Sequence, residues 1–217
     1  MRAMTSVEKL LAISSERLVP AAPANFEPMK NYPLGPELLR MLERKNGFYA
    51  FESALHVFPL TSDIVNGSTL DEWNSGTLWR NDYGDLTEGL LFFAEDILQG
   101  QFCLSSSGVL RFNAETGGTK PMADSLENWA EIILRHYDHE TGWEFASRWQ
   151  AENGPLPPGK RLMPKIPFFL GGAYSMENLW AGDAVEGMRL KADLATQTRN
   201  LPDGTQVRIV LAEKPTN

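Results

Sequence analysis

The chain has 217 residues, 42% hydrophobic and 22% charged, with a formal net charge of −8 and a pI near 5.0. That is enough apolar chain for a buried core, in one domain or in one domain with a sizeable appendage. The composition argues against direct nucleic-acid binding, which draws its affinity from Lys and Arg on phosphates. No apolar run approaches the roughly 20 residues that cross a bilayer, and Met1-Arg2-Ala3-Met4 lacks the pattern of a secretory signal. The expected location is therefore the cytoplasm. The lone cysteine, Cys103, excludes an internal disulfide and reads as a small buried hydrophobe.

Val7, Leu10 and Leu11 predict a short amphipathic helix, followed by a Pro/Ala-rich connection from Pro20 to Pro28. A firmer helix is expected over 36–45. Pro36 suits its first position, Leu38, Leu39, Met41 and Leu42 share one face, and Asn46-Gly47 supplies a left-handed stop. Phe48–Phe51 and Leu55–Phe58 read as strands, as do Leu90–Ala94, Gln101–Leu104 and Val109–Phe112, with a turn at Ser105–Gly108. Asn113 to Lys120 reads as a break ending at Pro121. Asp124 then opens a helix, with Glu127 as its capping partner and Leu126, Trp129, Ala130, Ile133, Leu134 and Tyr137 at helical spacing. A second helix carries Trp143, Phe145, Ala146 and Trp149.

Asn153–Gly159 is the clearest linker. The tail beyond it predicts a strand at Ile166–Leu170, a turn at Gly171-Gly172, a helix over 183–199, a turn at Asp203-Gly204 and a strand at Thr205–Leu211. It carries eight bases against six acids. Trp180, Leu190 and Val207 in it need a surface to bury against, so the tail is expected to dock on the main domain.

Charge is unevenly spread. Residues 61–100 hold eight acids (Asp63, Asp71, Glu72, Asp82, Asp85, Glu88, Glu95, Asp96) and one base, Arg80, a local balance of −7. Such a concentration costs self-repulsion and calls for a partner of opposite sign. Trp73, Trp79 and Tyr83 stand among these acids. Two readings are open: exposed aromatic anchors at an interface steered by carboxylates, or rings tucked into the core of a solvated segment.

Other chemistry is sparse. His136 and His139, with Asp138 and Glu140, are short of the three or four ligands a zinc site needs, and read as a polar helix end. Thr116-Gly-Gly-Thr-Lys120 lacks phosphate-loop spacing and runs into Pro121, where a helix would have to begin. Gly-x-Ser-x-Gly is absent. Neither a catalytic residue nor a cofactor is expected.

Tyr32-Pro33-Leu34-Gly35-Pro36-Glu37-Leu38, Asn46-Gly47, Leu91-Phe92-Phe93-Ala94-Glu95-Asp96, Gly100-Gln101-Phe102 and Ser125-Leu126-Glu127-Asn128-Trp129 together resemble the SUKH superfamily. The resemblance covers about residues 30 to 150, and the tail resembles extensions on some bacterial members. That superfamily includes bacterial toxin-immunity proteins and fungal cell-wall-synthesis regulators. The resemblance implies an α+β fold, a curved antiparallel sheet flanked by helices, over residues 1–152; the pattern of the tail adds a C-terminal strand–helix–strand extension over 160–217. The resemblance also implies a non-catalytic immunity protein that binds and neutralises a cognate toxin with a basic surface, a nuclease for example. A cytoplasmic adaptor is the alternative. The expected partner-binding residues are Trp73, Trp79, Asp82, Tyr83, Asp85, Glu88, Glu95 and Asp96.

Overall fold

The computed structural model describes residues 2–20, 27–60, 69–202 and 204–207. Asp63, Asp203 and the end of the expected strand Thr205–Leu211 lie outside them, and Thr205–Val207 form no strand. The fold is α+β. Among the described residues six strands form an antiparallel meander in chain order: β1 (Phe48–Ala50), β2 (Leu55–Val57), β3 (Leu91–Asp96), β4 (Gln101–Ser105), β5 (Gly108–Phe112) and β6 (Thr119–Ala123). β6 begins at the end of the stretch read as a break and runs on through Pro121. Its residues are exposed or half-buried and Pro121 interrupts its donors, as suits an edge strand. The opposite edge is covered: Ser15 N–H donates to Tyr49 O, and Tyr49 N–H donates to Ser15 Oγ.

Phe92 and Phe93 are neighbours on β3 with opposite destinations. Phe93 packs edge-on against Trp129, which also meets Phe102. Phe92 meets Trp79 and Phe112. Successive strand residues point to opposite faces, so the sheet is buried on both sides. The Trp129 side is roofed by α1 (Ser6–Ile13), α2 (Gly35–Arg44) and α5 (Leu126–Arg135). Glu127 does not cap its own helix. Ser125 does so, accepting from Asn128 N–H, while the Glu127 carboxylate accepts from Ser6 and Val7 N–H at the start of α1. Asn46 does more than stop α2, since its side chain bonds both Leu60 N–H and Leu60 O. Gly47, at φ +68°, lies so close to Pro59 that a Cβ would sit 2.5 Å from the ring.

The helical region after α5 continues as α6 (Tyr137–Thr141) and α7 (Trp143–Asn153). The C-terminal unit differs from its expected order. β7 (Lys160–Pro164) pairs antiparallel with β8 (Leu179–Asp183), and α8 (Ala184–Thr198) follows. Ile166–Leu170 is a turn rather than a strand, held by Asn178, whose side chain bonds Ile166 N–H, Ile166 O and Ala173 O. Met188, Ala192 and Ala195 of α8 join the same core as Trp73, Trp79 and Phe92. Trp180 and Leu190, expected to bury, stay 44% and 60% exposed, and Val207 is half-buried.

Candidate partner-binding face and the charge network beneath it

Between β2 and β3 the chain leaves the sheet and returns through a series of short turns. Thr69 and Glu72 form a reciprocal capping box for α3 (Leu70–Trp73). A π-turn over Gly76–Arg80, α4 (Asn81–Tyr83) and a 3₁₀ turn over Gly84–Thr87 follow. Each of the first three delivers one ring to the sheet. Centroids run 4.7 Å from Phe58 to Trp73, 5.5 Å from Trp73 to Trp79, 5.5 Å from Trp79 to Tyr83 and 5.4 Å from Tyr83 to Phe112. The Trp73 indole donates to Gln101 Oε1 and the Tyr83 hydroxyl to Ala114 O.

Trp73, Trp79 and Tyr83 are therefore core residues, at most 1% exposed, and the reading of them as surface anchors is corrected. The reason is area. Each ring removes roughly 150–250 Å² from water, and the Phe92–Phe112 face of the sheet needs that cover. Burial also raises the Tyr83 hydroxyl pKa well above its ordinary value.

Glu95 and Asp96 are corrected for a different reason. Both lie in the sheet with burial above nine-tenths, and each meets a cation. Glu95 Oε1 accepts from Arg161 Nε of β7 at 2.8 Å and pairs with His56 Nδ1 at 3.3 Å. Burial pushes this carboxyl up, but Arg161 and hydrogen bonds from His56 and Gln101 outweigh it and hold it below the usual range. The His56 imidazole is pushed down, burial outweighing the Glu95 bond, so it stays neutral. Asp96 pairs with Arg111 and caps the β3–β4 turn through Leu98 and Gly100 N–H. Lys191 of α8 donates to Leu98 O at 2.7 Å. Burial lowers its pKa to about 8, against the pull of Glu115, Asp96 and Glu95.

Asp82, Asp85 and Glu88 remain at the surface, with Asp71 and Glu72. α8 and the residue after it reach two of them. Arg199 grips Asp85 with both guanidinium nitrogens at 2.5 and 2.8 Å, and Arg189 approaches Asp82 at 3.8 Å. The Arg199 hydrogen bonds hold the Asp85 carboxyl below its ordinary value. Asp85 and Glu88 also border a shallow depression of about 470 Å³ that includes Asn74, Asn81 and Arg80. Arg80 is spent within it, donating to Asn74 O and Thr87 O.

The acids thus separate into a buried pair and an exposed set, and the tail supplies cations to both. Arg161, Arg189, Lys191 and Arg199 were absent from the sequence-derived site. Their only signal was the basic balance of the tail beside the acidic balance of residues 61–100. Of the metal-like cluster, His139 pairs with Glu140 in the open. Among the described residues no group of three or more His, Cys, Asp or Glu side chains is placed to hold a metal, and no helix is long and apolar enough to cross a membrane.

These features define an α+β protein whose acidic segment is clasped by its own basic C-terminal unit. No family model matches the chain and no curated protein matches it. Among solved structures it is similar to the crystal structure of Atu4351 from Agrobacterium tumefaciens, at 15% identity and a TM-score of 0.57, over 86% of this chain and 88% of that one. At that identity the likeness is one of fold alone.

Proposed function

We propose that this protein is a non-catalytic, cytoplasmic immunity protein of SUKH type that binds and neutralises a toxin through the exposed carboxylates Asp82, Asp85 and Glu88. The observation that carries the reading is their setting. Asp82 sits beside the Tyr83 ring locked into the core, and Asp85 and Glu88 follow within the next short turn, so the three are held near a fixed base yet reachable by solvent. A basic protein surface, such as the cleft of a nuclease, is the complement of such a face. The resemblance of the sequence to immunity proteins supports the same reading.

The test is a pull-down from the source cells with wild-type protein and with the triple variant Asp82→Asn, Asp85→Asn, Glu88→Gln. Amides are chosen because lysines here would repel Arg189 and Arg199 and confuse binding with undocking. The expected result is one basic protein, released by salt, toxic when expressed alone and harmless beside this protein. Equal capture by the triple variant would remove these residues from the interface.

The adaptor reading draws on a separate observation. Ile166, Phe169, Tyr174 and Trp180 expose apolar surface on the C-terminal unit, from 37% to 66% each. Several housekeeping proteins captured in place of one toxin would favour it, and Tyr174→Ser would then release some of them.

A further inference from the structure

A half-open pocket of about 240 Å³ lies where the C-terminal unit meets the sheet. Phe58 and Trp73 line it from the sheet side, Ala184 and Val185 from the start of α8, and three polar side chains join them: Glu95, His56 and Asp183. Its hydrogen-bonding inventory is one-sided. Glu95 Oε1 is taken by Arg161 and His56. Glu95 Oε2 has only Gln101 Nε2, at 3.4 Å, the far end of hydrogen-bond range. The carboxylate is 2% exposed, so this oxygen has lone pairs that neither bulk water nor a close protein donor satisfies.

His56 gives its Nδ1–H to Glu95, since a carboxylate can only accept, and its second ring nitrogen is left as an acceptor. The donors lining the pocket are already committed. Trp73 Nε1–H goes to Gln101, Ala184 N–H to Gly159 O, and Val185 N–H to the Asp183 carboxylate. An enclosure of acceptors, with two aromatic rings beside them, suits a group that only donates. An ammonium has three donors and no acceptor, and aromatic faces attract it further. Lys160 already holds its own ammonium 3.7 Å from Asp183, with both side chains about half exposed.

We propose that this pocket binds a primary alkylammonium group, its head on Glu95 and Asp183 and its stem between Trp73 and Val185. The source is a free amine or a lysine side chain of a protein. The site stands whether or not the outer carboxylates meet a toxin.

The test titrates n-butylammonium and, separately, 1-butanol into the intact protein, following the His56 ring resonances and thermal stability. Butylammonium is expected to shift both in the millimolar range while butanol shifts neither. Asp183→Asn, which keeps a capping oxygen for α8, should weaken binding several-fold. Val185→Trp, which fills the pocket, should abolish it while leaving the urea midpoint close to wild type. An equal response to butanol, a response that survives Val185→Trp, or no response would each overturn the proposal. Acetyl-Gly-Lys-Gly-amide separates the sources: binding as tight as butylammonium assigns a lysine side chain, and its exclusion assigns a free amine.

Discussion

Glu95 and Asp85 each hold an arginine from the C-terminal unit, yet the two ion pairs do opposite work. Glu95 and Arg161 are both 3% exposed at the side chain, whereas Asp85 and Arg199 are 62% and 33% exposed. A buried pair cannot lose one member without stranding the other charge in a medium that solvates it poorly. An exposed pair loses little, because water replaces the partner. The inner pair is a clasp and the outer pair a contact open to exchange. Charge chemistry is the same in both, and burial alone decides which pair can exchange its arginine for another cation.

The sharpest way to break this contrast is Glu95→Ala. It strands Arg161 and should cost about 3–5 kcal/mol in urea unfolding, the range for an orphaned buried charge. Glu95→Leu with Arg161→Met should recover most of that loss, as apolar replacements of buried pairs do. If the single variant were as stable as wild type, the clasp would be no more than a surface pair.

A second variant attacks docking without touching charge. Gly187 faces Gln99 and Met163 so closely that a Cβ would lie 2.3 Å from Gln99 Oε1 and 2.4 Å from Met163 Sδ. Gly187→Val should therefore destabilise by about 1–3 kcal/mol, the usual cost of overpacking. Amide exchange should rise along α8 before it rises in β3 and β4.

A smaller effect should appear in pH dependence. Lys191 has a pKa of about 8 in the fold against an ordinary value of 10.5. Below pH 8 the amine is charged in both states and the fold carries the full burial cost. As pH rises from 8 towards 10.5 the folded protein releases the proton first, so stability increases. The urea midpoint should climb from pH 8 until tyrosines ionise, and Lys191→Met should flatten that climb. A flat wild-type profile would mean the amine is solvated. Smallest of all, Arg199→Ala should leave the urea midpoint unchanged while freeing Asp85 for a partner, so salt-sensitive capture should strengthen.

Much of the fold was legible before the structure. The 36–45 helix, the first five strands and the 183–199 helix follow from period and stop signals that act within a few residues. β6 was missed because Pro121 and its exposed side chains mask an edge strand. β7 was missed because Lys160-Arg161 leave only Leu162 and Met163 as apolar residues before Pro164, and a charge inside a strand makes sense only once Glu95 packs against it. Of the eight residues expected at the interface, Asp82, Asp85 and Glu88 remain at the surface while the other five are buried.

The sequence by itself determined the local elements and the unequal charge of the acidic segment and the tail, because both are properties of neighbouring residues. Only the tertiary structure decided which charges meet and which are shut away. Glu95 and Arg161 are 66 residues apart, and Asp85 and Arg199 are 114 apart. A carboxylate in a sequence carries no mark of its burial, which is set by whatever the rest of the chain packs against it.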